Sequence, residues 1–200
     1  MSASNDLFKE LMRRFAAGVT LVTFNEKGKF GGLTVSSFCS LSMNPPLVLI
    51  CIDRKIASHD ALEKTTNFGV NICNSEQGKL AWDFANSNID KNELINSLPH
   101  TLTDSGTPLL DGCLASMDCK ITEKYDGGDH TIFVGHVEDG NFDEKADPFF
   151  TNRLSKVVFL LANKAFNVSI NIDLPEPVCP VKTVKPLSKS ISKFSNRAIF

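Results

Sequence analysis

The sequence predicts a mainly β chain with peripheral helices, and three observations predict it. Residues 18–24 and 47–52 are rich in β-branched and apolar side chains, the composition that fits a pleated, partly buried surface. Two longer runs of the same kind, 112–125 and 129–138, are separated by Asp126, Gly127 and Gly128, so they read as an antiparallel hairpin. Apolar residues at helical spacing are confined to short segments, at 7–15, 59–64, 76–85 and 153–166.

Two hundred residues with 42% hydrophobic content suffice for one domain with a terminal extension and bury a core easily. The formal net charge of -2 leaves no electrostatic footprint for nucleic acid. Cys39, Cys51, Cys73, Cys113, Cys119 and Cys179 form no C-x-x-C pair, and five of them lie in apolar strand-like segments. They are expected as free thiols in a reducing cytosol, with no metal site. The N-terminus lacks the basic start and apolar core of a secretion signal, and no apolar run approaches the ~20 residues that a membrane helix needs. A cytoplasmic protein off the membrane is expected.

In chain order, Ser4 or Asn5 can cap a helix whose Leu7, Phe8, Leu11, Met12 and Phe15 recur at helical spacing. It is expected to close one side of a sheet. The strand at 18–24 leads through the turn residues Asn25 to Gly28 into the next strand, and Pro45 and Pro46 mark that strand's end or an edge. The continuous apolar run 47–52 suits a strand covered on both faces.

Ser58 is a candidate N-cap for a helix at 59–64, with Arg54 and Lys55 adding positive charge nearby. Two readings stay open there: a capped surface helix with solvated bases, or a seat for an anion. A strand follows at 68–73, then a helix at 76–85 whose Trp82 suits a core or a subunit interface. Residues 86–96 read as a mobile connection bordering a site, and 101–107 as a short strand and loop.

Alternation in 129–138 puts His130, Ile132, Val134 and His136 on one face and Thr131, Phe133, Gly135 and Val137 on the other. A helix is expected over 153–166, and the prolines beyond it oppose regular structure. From 177 onward Lys182, Lys185, Lys189, Lys193 and Arg197 occur without an acid. That tail reads as solvated or packed over a neighbouring subunit, or as a basic clasp for a second nucleotide or an acidic partner.

The most informative stretch is 31–46, where Thr34, Ser36, Ser37, Ser40 and Ser42 stand among mostly apolar residues. Alternation would put Thr34, Ser36, Ser40 and Ser42 on one face, and a kink near Ser37 and Phe38 would expose backbone N–H groups beside them. The result is either a solvated strand edge or a surface for a phosphate-bearing ligand with many acceptors. No G-x-G-x-x-G follows a strand and no P-loop pattern occurs, which argues against a Rossmann or P-loop nucleotide domain.

The order of these pieces resembles the flavin reductase family, the FMN-binding split-barrel group that includes reductase components of two-component monooxygenases. The likeness rests on 32–46, on Cys51 to Asp53, Ala57 with Ser58, 68–71, Gln77 with Leu80 and Ala81, Phe84 with Ala85, and 128–135. It runs from about Phe8 to about Phe150. What it implies is a Greek-key-like antiparallel split β-barrel over 1–150, with 151–200 as a C-terminal extension. It also implies a homodimer with the flavin near the subunit boundary.

The implied reaction is hydride transfer from NADH or NADPH to FMN or FAD, with reduced flavin supplied to a partner oxygenase. By the same resemblance Thr34, Val35, Ser36 and Ser37 line the flavin ring, with Ser40 and Ser42 beside them. Cys51, Ile52, Asp53, Lys55 and Ser58 meet its ribityl and phosphate, and Phe84, Ala85 and Asn86 close over it. His130 becomes the catalytic candidate on the nicotinamide side. Near the nucleotide the family commonly carries a tyrosine and an arginine, of which this sequence offers only Arg153. Alternatives of the same resemblance are a flavoprotein with tightly bound FMN that reduces a ferric chelate or another acceptor, and a non-catalytic flavin-binding electron carrier.

Overall fold

The computed structural model describes residues 3–146, 149–152 and 158–159. The chain begins with α1 (Asn5–Met12), β1 (Ala17–Gly18), β2 (Thr20–Glu26), β3 (Lys29–Val35), β4 (Phe38–Met43) and β5 (Pro46–Asp53). It continues through α2 (Ala57–Leu62), β6 (Asn67–Ile72), α3 (Gly78–Ala85), α4 (Lys91–Ser97), β7 (His100–Leu102) and β8 (Pro108–Leu110). The hairpin β9 (Ala115–Gly127) and β10 (His130–Phe142) follows, then β11 (Phe150–Asn152) and β12 (Val158–Phe159).

Seven strands form one antiparallel sheet in the order β3-β2-β6-β9-β10-β5-β4. Its two edge strands, β3 and β4, are successive in the chain and joined by Ser36 and Ser37. Leu33 and Val35 of edge strand β3 share one core with Ile50 and Ile52 of β5, with Phe68 of β6 and with Phe133 of β10. Strands at opposite ends of the order can share a core only if the sheet curls, and the β3–β4 link is the seam of the resulting split barrel. Leu62 of α2, fully buried, belongs to that core.

The β2–β3 hairpin turns at Lys27 (φ 54°) and Gly28 (φ 89°), the left-handed backbone that two-residue hairpin turns require. β2 is covered on both faces. Its Val22 and Phe24 face the barrel core, while Leu21, with Val19 just before the strand, packs outside with Ala81 and Phe84 of α3 and Ile95 of α4.

Several expectations are corrected here. Ser4 is the cap of α1, its hydroxyl accepting the Leu7 amide at 3.2 Å, but the helix closes no sheet. Leu7, Phe8, Leu11 and Phe15 are each more than half exposed among the described residues, so the apolar stripe is left largely uncovered there. β5 buries only Val48, Ile50 and Ile52, and its other face is half-buried. The stretch 86–96 holds α4, whose Asp90 accepts the amides of Asn92 and Glu93 and whose Ile95 is fully buried. Trp82 is 60% exposed, which removes it from the core of this chain.

Of the helix expected over 153–166, only Val158–Phe159 is described. It is a strand, pairing with β11, which itself pairs with β1. Arg153 and the basic tail lie outside the described residues. Cys39, Cys51, Cys73, Cys113 and Cys119 are free thiols, and no described helix is long and apolar enough to cross a membrane.

Candidate functional site

The site is organised by the outer face of β5 and β10. Their register pairs His130 with Asp53, Ile132 with Cys51 and Val134 with Leu49. Cross-strand partners share a face, so His130, Asp53 and Cys51 all project from the barrel exterior while Ile52 and Thr131 project inward.

At the Cys51 end, the link between β3 and β4 closes against β5. The Cys51 amide donates to the Ser37 carbonyl at 3.1 Å, and the Ser37 hydroxyl donates to the Cys51 carbonyl at 2.7 Å. Beside this double tie lies a cleft of about 300 Å³ lined by Ser36, Ser37, Cys39 and Cys51 and by the apolar Met12, Phe15, Phe38 and Leu49. Burial, then the neighbouring Cys39, pushes the Cys51 thiol up, so this wall is uncharged. A flat ring system with one polar edge fits such walls: apolar side chains for its faces, hydroxyls and backbone for its rim.

At the other end, the Asp53 carboxylate accepts the Lys55 amide at 2.9 Å and shapes the turn into α2. His130 stands across from Asp53 with its side chain 39% exposed, and its Nδ1 lies 2.7 Å from Asp129 Oδ1. That hydrogen bond, and then the imidazole's charge, holds the Asp129 carboxyl below the usual carboxylate range. Nδ1 is therefore engaged, which leaves Nε2 as the ring nitrogen for a ligand. The two ends lie about 7 Å apart along β5, two residues at strand rise.

The hydroxyl-rich stretch is rearranged relative to expectation. Thr34 turns to α3, its hydroxyl donating to the Ala81 carbonyl at 2.5 Å. Ser40 pairs with Val48 and Ser42 with Leu47, with Leu41 as an extra residue between them. That bulge and the β3–β4 crossing put the hydroxyls on different faces, so one continuous hydroxyl face does not form. Val35 and Ile52 point into the barrel core, leaving only their backbone for a ligand.

Ser58 is not a cap. Ile56 precedes the helix and Ser58 stands within its first turn, in a hollow shared with Gly31, Gly32, Lys91 and Asn92. The Phe84 ring is buried against the backbone of Gly32, so its role is to seat α3 and not to cover a ligand. Ala85 is exposed, and Asn86 ends the helix with its carbonyl accepting Lys91 Nζ at 2.6 Å. The structure thus gathers Ser36, Ser37, Cys51, Asp53, Lys55 and His130 around one face and turn, and separates Thr34, Val35, Ile52 and Phe84 from it by side-chain direction.

Residues the sequence did not mark include Phe38, Cys39 and Leu49, which wall the cleft, and His59, buried behind β10. The diagonal of Cys39 and Cys51 was legible only once the β4–β5 register was known. His59 carried no signal beyond its place on a short helix.

Residues 12–158 match the family model described as flavin reductase like domain. Among curated proteins, the chain is 35% identical over 152 residues to the actinorhodin polyketide dimerase of Streptomyces coelicolor, covering 74% of this chain and 82% of that protein. It is 37% identical over 127 residues to an NADH-dependent FAD reductase of Streptomyces globisporus, covering 62% and 68%. Among solved structures it superposes on BorF, the flavin reductase component of a bacterial two-component tryptophan halogenase. The TM-score is 0.69 at 30% identity, over 74% of this chain and 92% of that one.

Proposed function

We propose, on the premise that this chain belongs to the flavin reductase like domain family, an assignment of its own residues to the work of an NAD(P)H-dependent flavin reductase. The enzyme moves a hydride from a nicotinamide nucleotide to FMN or FAD and supplies reduced flavin to a partner oxygenase. The two reactants contain the reacting atoms, with flavin N5 as the acceptor. The chain's own task is therefore to stack two rings in register and hold their phosphates.

The observation that carries the assignment is the shared outer face of β5 and β10, with the Ser37–Cys51 cleft at one end and His130 opposite Asp53 at the other. Met12, Phe15, Phe38 and Leu49 take the ring faces and exclude water, and Ser36 and Ser37 meet the polar rim. Ser40 and Ser42, which do not line the cleft, are carried as flavin contacts on the resemblance alone. Asp53 and Ser58 bind the ribityl and phosphate groups, with the Lys55 ammonium offsetting phosphate charge and Ala85 and Asn86 bordering them. Thr34, Val35, Ile52 and Phe84 contribute through backbone and packing. His130 Nε2 orients the nicotinamide amide while Asp129 fixes the ring from the other side. Arg153 is carried as a nucleotide contact on the resemblance alone. The apolar stripe of α1 supports a homodimer, in which a second copy covers it.

The test follows nucleotide absorbance after mixing the protein with NADH or NADPH and FMN or FAD. Rapid oxidation that depends on added flavin is expected. His130→Ala should lower turnover about tenfold or more while leaving flavin affinity nearly unchanged, since it removes an orienting contact and no flavin contact. Wild-type turnover in that variant at saturating nucleotide removes His130 from the mechanism. A yellow protein inert to both nucleotides would instead be an electron carrier, and a protein without flavin affinity would overturn the assignment.

A further inference from the structure

Three side chains that the assignment above does not use meet at one hydroxyl. Thr131 follows His130 on β10 and points the opposite way, into the barrel, where it is 5% exposed. Its Oγ1 accepts Arg54 Nε–H at 3.1 Å and lies 2.8 Å from His59 Nε2. The imidazole of His59 is itself buried, edge-on to the Phe133 ring with centroids 6.0 Å apart. Arg54 extends outward from the same point: its Nη2 binds Asp126 at 2.6 Å, and its amide donates to the Asp129 carbonyl at 3.1 Å.

One buried oxygen therefore joins the turn after β5, helix α2 and the tip of the β9–β10 hairpin. The turn carries Lys55 next to Asp53, α2 carries Ser58, and the hairpin tip presents His130. Burying a hydroxyl in a barrel mouth costs free energy unless its bonds are made, and a valine of nearly the same shape would fill the space without that demand. The hydroxyl is thus better explained by direction than by packing. It sets where the guanidinium lies, and the guanidinium sets the distance between the turn and the hairpin tip.

We propose that Thr131 is a positioning residue for the nucleotide site, acting through Arg54 and His59 to hold the 53–58 turn in register with His130. The proposal rests on the reading that this turn and His130 hold the reactants. Its effect falls on binding geometry, so it belongs in KM and not in the chemical step.

The experiment compares wild type, Thr131→Val, Thr131→Ser and Arg54→Gln in flavin-dependent NADH oxidation, alongside amide hydrogen exchange of each. Thr131→Val should raise KM for flavin and for nucleotide about tenfold with kcat within about twofold, the size of one lost hydrogen bond to a charged group. Thr131→Ser, which keeps the hydroxyl, should return both to within about twofold of wild type. Arg54→Gln should reproduce the defect, and the double variant should be no worse than either single one, as for residues acting through one contact. Amides at 54–59 and 129–131 should exchange faster in Thr131→Val while those of β2 and β6 stay protected.

Unchanged KM values in Thr131→Val, a serine variant as defective as the valine one, or unchanged exchange at 54–59 would each overturn the proposal. Wild type without flavin-dependent turnover would overturn the functional reading instead, and the exchange comparison would still decide whether the hydroxyl holds the turn.

Discussion

The described cysteines differ in what surrounds each sulfur, and that difference ranks their chemistry. Cys73 and Cys119 are fully buried, and burial pushes each thiol up to about 12, helped by the neighbouring Cys113 at Cys73 and by Asp118 and Glu138 at Cys119. Burial also raises Cys113 and Cys51, whereas Cys39 is exposed at the rim of the cleft. Since the thiolate is the nucleophile, a maleimide at pH 8 with peptide mapping should mark Cys39 first and Cys51 more slowly. Cys73, Cys113 and Cys119 should react only after unfolding. Raising the pH should speed Cys51 further, because its thiolate is still a minority, and added flavin should slow it because Cys51 walls the cleft. Labelling of Cys73 as fast as Cys39 in the native protein would contradict this order.

Individual elements show what local sequence carries and what it leaves out. A Cβ on Gly32 would stand 2.6 Å from the Phe84 ring and 3.1 Å from the Val22 carbonyl, whereas one on Gly18 would meet nothing within 4 Å. Gly32→Ala should therefore cost ~1–3 kcal/mol by overpacking the α3–barrel contact, seen as a lower urea midpoint at unchanged slope. Gly18→Ala should be nearly neutral, and equal midpoints for the two would show that α3 shifts freely.

The strands and hairpin turns were legible because alternation and turn residues act over a few positions, as at Asn25 to Gly28 and Asp126 to Gly128. α4 was missed although Asp90 and Glu93 stand at capping spacing, because only Ile89, Leu94 and Ile95 in that stretch are apolar. Ser58 has the residue type of a cap but sits two positions inside the helix that Asp53 and Ile56 actually begin. The supposed hydroxyl face failed for a longer-range reason. β3 and β4 belong to opposite edges of the sheet, and no periodicity within 31–46 could reveal that crossing.

The molecule as a whole is unevenly covered. Helices α3 and α4 and strand β8 pack on the outside of β2 and β3, while the outer face of β5, where the cleft lies, is only half-buried. α1 adds Leu7, Phe8, Leu11 and Phe15, each more than half exposed, and its end supplies Met12 and Phe15 to that same cleft. An apolar stripe that no described residue covers, beside a half-covered pocket, is suited to association, and burying it would yield roughly 25 cal/mol per Å². If a second copy covers it, the cleft wall is fixed only in the dimer. Leu7→Glu with Phe8→Glu, both off the cleft, should then lower the molar mass by light scattering from about twice the 21.9 kDa chain to about once. The same pair should raise the flavin KM several-fold while the thermal midpoint of the barrel changes little, because no core residue is touched. A wild-type monomer would remove the second copy from the argument, and a variant that dimerises normally would show that the interface lies on another face.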